Sequence, residues 1–143
     1  MLTSYAYASI SCQDCGEARV RQILQTAAER NSQLGVTSAL YSDGETFFHV
    51  IEGEEAALAM LMASILRDPR HKSIEILDQF DLSGRMFNGS AIRHIDGSGD
   101  ADLRDRFSYR NLTSLNGTYL EDRIRELACT SEPLERRTGT GPA

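Results

Sequence analysis

The strongest local constraint in this chain is the dipeptide Asp43-Gly44, which follows Ser42 and lies inside the run VTSALYSDGETFFHVIEG. An Asp-Gly pair flanked by β-branched and aromatic residues marks a tight hairpin, because glycine takes the positive φ that such turns need. The two flanking runs, opened by Gly35 and closed by Gly53, are therefore expected to be antiparallel neighbours, the second and third strands of a sheet.

The other elements fall into place around that hairpin. Residues 2–10 alternate with period two, which puts Tyr5, Tyr7 and Ser9 on one face of a first strand and Ala6, Ala8 and Ile10 on the other. Asp14 and Glu17 have capping-box spacing, and Val20, Ile23, Leu24, Ala27 and Ala28 recur at helical spacing, so a helix is expected from about Asp14 to Arg30. Glu54 and Glu55 favour a second helix start, Leu58, Leu61, Met62, Ile65 and Leu66 form its apolar stripe, and Pro69 ends it by pushing Asp68 out of helical geometry. Residues 73–82 and roughly Met86 to Ile95 read as two more strands. The order βαββαββ is that of an α+β, ferredoxin-like sandwich, with two helices on one face of a mixed sheet.

Beyond the Gly97-Ser98-Gly99 stretch come two amphipathic helical segments, one carrying Leu103, Phe107 and Leu112, the other Leu120, Ile124, Leu127 and Ala128. Thr118 and Glu121 again have capping-box spacing. Both segments are too short to stand alone, so they are expected to cover the sheet's free face or a partner. The tail from Thr130 to Ala143 has almost nothing to bury and is expected to be disordered. The expected organisation is thus a domain over 1–96, a helical extension packed on it over 97–129, and a tail over 130–143.

At 143 residues a single domain can bury a core without disulfides or metals. No apolar run of 18 residues exists, and the start MLTSYAYASISCQDC lacks the layout of a signal peptide, so a cytoplasmic chain with reduced thiols and no membrane partner is expected. Fifteen basic and twenty-one acidic residues give a net charge of −6, which disfavours direct binding of nucleic acid.

Few motifs carry chemistry. Cys12-Gln13-Asp14-Cys15 is a CxxC pair at an expected helix start, where backbone N–H groups would favour a thiolate, but a zinc site needs four ligands and a thioredoxin-like motif belongs to another element order. The pair reads either as incidental or as a redox or metal site. His49, His71 and His94 show no metal-ligand or catalytic spacing, and no nucleophile elbow, P-loop or dinucleotide fingerprint is present. By alternation Phe47, His49 and Ile51 share a side of the third strand. If that side faces the helices, His49 is buried and needs a partner, which the Tyr7 hydroxyl can supply. Such a contact is either an ordinary core hydrogen bond or part of a site.

One ordered string of motifs resembles a known family. Tyr7-Ala8-Ser9, then Arg30-Asn31, Gly35-Val36-Thr37, Phe48-His49-Val50-Ile51-Glu52-Gly53, Asp68-Pro69-Arg70-His71 and Arg85-Met86-Phe87 resemble, in order and spacing over roughly residues 1–95, the BLUF family of blue-light sensors using flavin. The resemblance implies a noncovalent flavin, usually FAD, between the two helices above the sheet. It implies Tyr7 as electron and proton donor to the excited flavin, Asn31 as a hydrogen-bonding partner of the isoalloxazine edge, and Arg70 and His71 as a basic pair near the flavin and its phosphate side. Arg30, beside Asn31, is a further phosphate-side candidate; its alternative is a solvated charge at a helix end.

The chain also departs from the family pattern. His49 stands where the family has a glutamine whose side-chain rearrangement creates the red-shifted signalling state, which leaves Tyr7 and His49 as the photochemical candidates. Ser90 and Ile92 stand where a Trp and a Met are expected, and Ser38 where a glycine is usual. The resulting expectation is a flavin-binding blue-light or redox sensor with an altered or lost photocycle, without turnover of its own, acting on a downstream signalling protein. Homodimers or larger rings are compatible with the resemblance. The alternative is a flavin-free protein-interaction module on the same fold; a more distant one is a small enzyme using His49 or the CxxC pair.

Overall fold

The computed structural model describes residues 1–12, 16–87, 89–114 and 117–133, the side chains of Gly117 and Thr118 excepted. Its elements are β1 (Leu2–Ser11), α1 (Glu17–Leu34), β2 (Thr37–Ser42), β3 (Thr46–Glu54), α2 (Glu55–Arg67), β4 (His71–Asp81), β5 (Arg93–Asp96), α3 (Ala101–Arg106), α4 (Tyr109–Ser114), α5 (Gly117–Thr130) and β6 (Glu132–Pro133). The strands form one mixed sheet in the order β4-β1-β3-β2-β5-β6. Its first four strands and the two helices that connect them make the ferredoxin-like α+β unit read from the sequence.

The hairpin does what Asp43-Gly44 requires. Gly44 has φ 92°, and Asp43 Oδ1 accepts the N–H groups of Glu45 and Thr46 at 2.9 and 2.8 Å. β2 and β3 then pair antiparallel, as do β1 and β3, with Tyr7 directly opposite His49. Because side chains alternate, this register commits whole faces. Tyr5, Tyr7, Leu40, Phe47 and Ile51 pack under α1 and α2, whose buried residues include Leu24, Ala27, Leu58, Leu61, Met62 and Ile65. Ala6, Ala8, Ala39, Tyr41, Phe48 and Val50 face the other way and pack against Phe107, Leu112, Leu120, Ile124 and Leu127. Phe107 is fully buried in that layer, stacked on Tyr41 with centroids 4.5 Å apart.

Several boundaries differ from the sequence expectation. α1 continues past Arg30 to Leu34, because the residue that stops it is Gly35, whose left-handed φ of 68° lets its N–H reach the carbonyls of Asn31 and Ser32. Its start has Gly16 as N-cap with no side-chain cap bond, and the expected Asp14 cap lies outside the described residues. The strand expected from Met86 to Ile95 is only Arg93–Asp96, parallel to β2. The reason is local: the Glu52 carboxyl takes the N–H groups of Met86 and Phe87, which a ladder would otherwise use, and Gly89 turns the chain at φ 76°. The first C-terminal segment is two short helices, α3 and α4, broken where Phe107 turns inward; the expected Thr118 cap lies outside the described side chains. Within the expected tail, Ser131 is buried and Glu132–Pro133 pairs with β5, anchored by Arg93, which donates to Ser131 Oγ and O at 3.1 and 2.7 Å. Residues 134–143 lie outside the described residues.

Candidate functional site

β1 and β3 place Tyr7 and His49 side by side beneath α1 and α2, where each retains less than 5% exposure. The Tyr7 hydroxyl lies 2.8 Å from His49 Nδ1, and the two rings meet edge-on with centroids 5.4 Å apart. Burial, then the charge of Arg30 and the neighbouring His71, pushes the His49 pKa down to about 3, so the ring is neutral at ordinary pH. Burial likewise pushes the Tyr7 phenol well above its usual value, against the pull of Arg30, so it keeps its proton.

These two residues line a cleft between α1 and α2 together with Ile23, Ala27, Arg30, Leu40, Phe47, Ile65, Asp68, Arg70, His71 and Ile92. Two of the cations and rings expected there, His71 and Arg70, are already engaged by neighbours. His71 Nε2 donates to the Ile65 carbonyl at 3.0 Å, and its Nδ1 is hydrogen-bonded to Ser9 Oγ at 2.7 Å, so the ring ties the end of α2 to β1. Arg70 grips Asp68 with two parallel bonds, Nε to Oδ1 at 2.9 Å and Nη2 to Oδ2 at 2.7 Å. Burial alone would raise the Asp68 carboxyl, but hydrogen bonds from Arg70 and its charge outweigh that and hold it below its usual value. Arg30 is partly buried, and its Nε has no hydrogen-bond partner among the described residues.

Asn31 is fully buried but does not line the cleft. Its Nδ2 donates to Ser38 Oγ at 3.1 Å and to the Ala91 carbonyl at 2.9 Å, while Ser38 Oγ donates to the same carbonyl at 2.8 Å. A glycine at position 38 would leave that amide one acceptor fewer, so Ser38 draws Asn31 toward the 83–92 segment. Ile92 is a cleft wall, whereas Ser90 is buried outside it, its backbone carbonyl accepting from Ser38 N at 3.3 Å. Cys12 is a free, partly buried thiol and Cys15 lies outside the described residues. Among the described residues no cluster of three His, Cys, Asp or Glu side chains is placed to hold a metal.

Sequence reasoning missed Asp68 as the partner of Arg70, and Ser9 as that of His71. Spacing held both signals: Asp68 precedes Arg70 by two residues across a Pro turn, and Ser9 shares Tyr7's face by alternation. The apolar cleft walls Ile23, Ala27 and Ile65 were legible only as core.

The donor set suits a polar heteroaromatic ligand. His49 Nε2 and Arg30 Nε are buried polar atoms of cleft-lining residues without partners among the described residues, a state that native folds avoid unless something else fills it. Space is tighter. The enclosed part of the cleft measures about 40 Å³, room for a few waters at roughly 10–15 Å³ each. A three-ring flavin needs more, so lining side chains must shift to admit it. No helix among the described residues is long and apolar enough to cross a membrane.

Comparison with known proteins agrees with this geometry. The model of the family described as sensors of blue light using FAD matches residues 2–93. The chain is 35% identical over 83 residues to photoactivated adenylate cyclase subunit alpha of Euglena gracilis, a match covering 58% of this chain and 8% of that protein. It is 35% identical over 74 residues to the blue light- and temperature-regulated antirepressor BluF of Escherichia coli (strain K12), covering 52% of this chain and 18% of the antirepressor. The chain thus spans a small part of these relatives. Among solved structures, the dark state of BlrB, a BLUF protein, superposes with a TM-score of 0.75 at 28% identity, over 90% of this chain and 96% of that one. With the family model matching residues 2–93 and the fold superposing on a BLUF protein, the chain belongs to the BLUF family of flavin-based blue-light sensors.

Proposed function

We propose that this chain is a flavin-binding blue-light or redox sensor, FAD being the flavin, whose photocycle is altered or lost because His49 replaces an amide. The observation that carries the reading is the buried Tyr7–His49 pair on the cleft wall, with His49 Nε2 left unpartnered. FAD, when bound, supplies the visible absorption and the electron-accepting excited state. Arg30 and Arg70 offer cationic donors to an anionic ligand on an acidic protein, Arg70 after exchanging its hold on Asp68. Tyr7 holds its proton against His49 Nδ1, which is the base nearest to it. An amide rotated by half a turn exchanges donor for acceptor, but a neutral imidazole offers one donor and one acceptor at fixed ring positions and has no carbonyl oxygen. The rearrangement that the family resemblance implies is therefore not open to His49.

In this reading residues 1–96 are the sensing domain and 97–129 a helical extension on the opposite sheet face. Phe48, next to His49 on β3, packs its ring against Phe107 of that extension with centroids 5.7 Å apart, which gives the cleft a short route to it. A downstream signalling protein in the cytoplasm, or a second copy of the chain, receives the output, and the chain itself carries no turnover. The flavin-free interaction module is favoured by the narrow cleft and by the closed Arg70–Asp68 pair. Titrating FAD into the flavin-free protein separates the two. At a hundredfold excess over its dissociation constant a ligand bound only to the folded state stabilises it by about 2.7 kcal/mol, so the melting temperature should rise by several degrees. Arg30→Gln should reduce that rise. A folded protein whose melting point ignores saturating FAD supports the interaction module.

A further inference from the structure

His49 and Arg30 each bring a buried, unpartnered nitrogen to the same cleft, and the question is which of these atoms carry hydrogen. Arg30 Nε is a donor only. For His49 the answer follows from its one partner. If the Tyr7 O–H donates to Nδ1, a single group, Nε2–H, is left unsatisfied. If instead Nδ1–H donates to the phenol oxygen, the Tyr7 hydrogen and the Nε2 lone pair are both stranded in a buried site. Phenol is also the better donor and imidazole nitrogen the better acceptor, so both considerations select the first arrangement.

We propose that Tyr7 fixes His49 in its Nε2–H tautomer, so that the inner end of the α1/α2 cleft presents donors alone and takes a ligand through a carbonyl or carboxylate oxygen. The groups lining the cleft keep the ring in that state. Tyr7, Arg30, Arg70 and His71 bring no negative charge to it, and Asp68, the one carboxylate among the lining residues, is held by Arg70. Burial and Arg30 together keep the imidazole from taking a second proton. The oxygen can belong to the ring of a flavin or to a free small carboxylate. The choice of flavin as the source rests on the proposed function, whereas the tautomer does not. His49 acts here as a specificity-determining contact and Tyr7 as the residue that positions it.

The test is long-range proton–nitrogen NMR on the flavin-free full chain with labelled histidine, the His49 signals being assigned by their loss in His49→Gln. The expected spectrum has a protonated Nε2 and a bare Nδ1 that stay unchanged from about pH 5 to 8, the range in which an ordinary histidine titrates. Tyr7→Phe should turn that single form into a mixture of tautomers; should the variant fail to fold, the wild-type spectrum alone decides the tautomer. A protonated Nδ1, or titration within that range, overturns the proposal. Adding formate or riboflavin should move the Nε2 resonance, and methylammonium at the same ionic strength should not. A response to formate without one to riboflavin removes the flavin reading and keeps the donor site. Silence toward both oxygen probes, or an equal response to methylammonium, overturns the donor site.

Discussion

Acidification from about pH 6.5 to about pH 4.5 is expected to remove roughly 2 kcal/mol of folding stability through His49 alone, the slope rising toward about 1.4 kcal/mol per pH unit below the ordinary histidine value. The imidazole of the unfolded chain binds a proton below its ordinary value near 6.5, whereas the buried ring stays neutral down to about 3. Protons therefore favour the unfolded state across that window, and the contribution, fully present above it, is lost as the pH falls toward the folded value. Asp68, held below its usual value, loses its own stabilising contribution lower still, as the pH falls through its depressed pKa. Urea unfolding of wild type and His49→Gln at several pH values separates the two. The wild-type curve should fall more steeply between about pH 6.5 and 4.5, the region set by histidine, with both curves falling at lower pH. Parallel curves would show that the His49 ring is not held neutral by burial.

Glu52→Ala should lower stability by about 3–5 kcal/mol, a large share of the roughly 5–15 kcal/mol that holds a typical domain folded. Glu52 is fully buried, and its carboxyl accepts from Thr37 Oγ1 at 2.8 Å, from Phe87 N at 2.8 Å and from Met86 N at 2.9 Å. Arg85 completes the cluster by donating to Thr37 Oγ1 at 2.9 Å and to the Gly35 carbonyl at 2.9 Å. Truncation strands the donors and leaves a cavity, and it frees the segment that seats Phe87 in the core. Glu52→Gln keeps one carbonyl acceptor but turns an N–H toward a donor, so it should cost less, about 1–2 kcal/mol. Denaturant midpoints measure both changes. A Glu52→Ala protein as stable as wild type would mean that the 83–92 segment is held by other contacts.

How much of this was legible in the sequence depends on how local each signal is. The register that puts Tyr7 opposite His49 follows from a tight turn and period-two alternation, both of which lie within a few residues. The end of α1 was misplaced because Gly35 reads equally as a strand opening and as a left-handed helix stop, and only the captured carbonyls of Asn31 and Ser32 distinguish them. The shortened last strand depends on Glu52, more than thirty residues away, taking two backbone donors. Side-chain competition was equally hidden. The sequence reads Arg70 as a cation near the flavin and its phosphate side, and does not reveal that Asp68 grips it; it reads Asn31 as a ligand contact, and does not reveal that Ser38 and Ala91 take its Nδ2 while Oδ1 stays without a partner among the described residues. Propensity and spacing place residues in a cleft and do not say which of them its own neighbours have engaged.

In the proposed function His49 takes the position of the switching amide without taking over its switch. The most direct measurement is the visible spectrum of FAD-loaded protein in the dark and after blue light, beside that of His49→Gln. No stable red shift is expected in the wild type, and a gain of one is expected in the variant if the rest of the cleft is competent. A long-lived red shift in the wild type would contradict it, because imidazole would then have reproduced the amide's rearrangement.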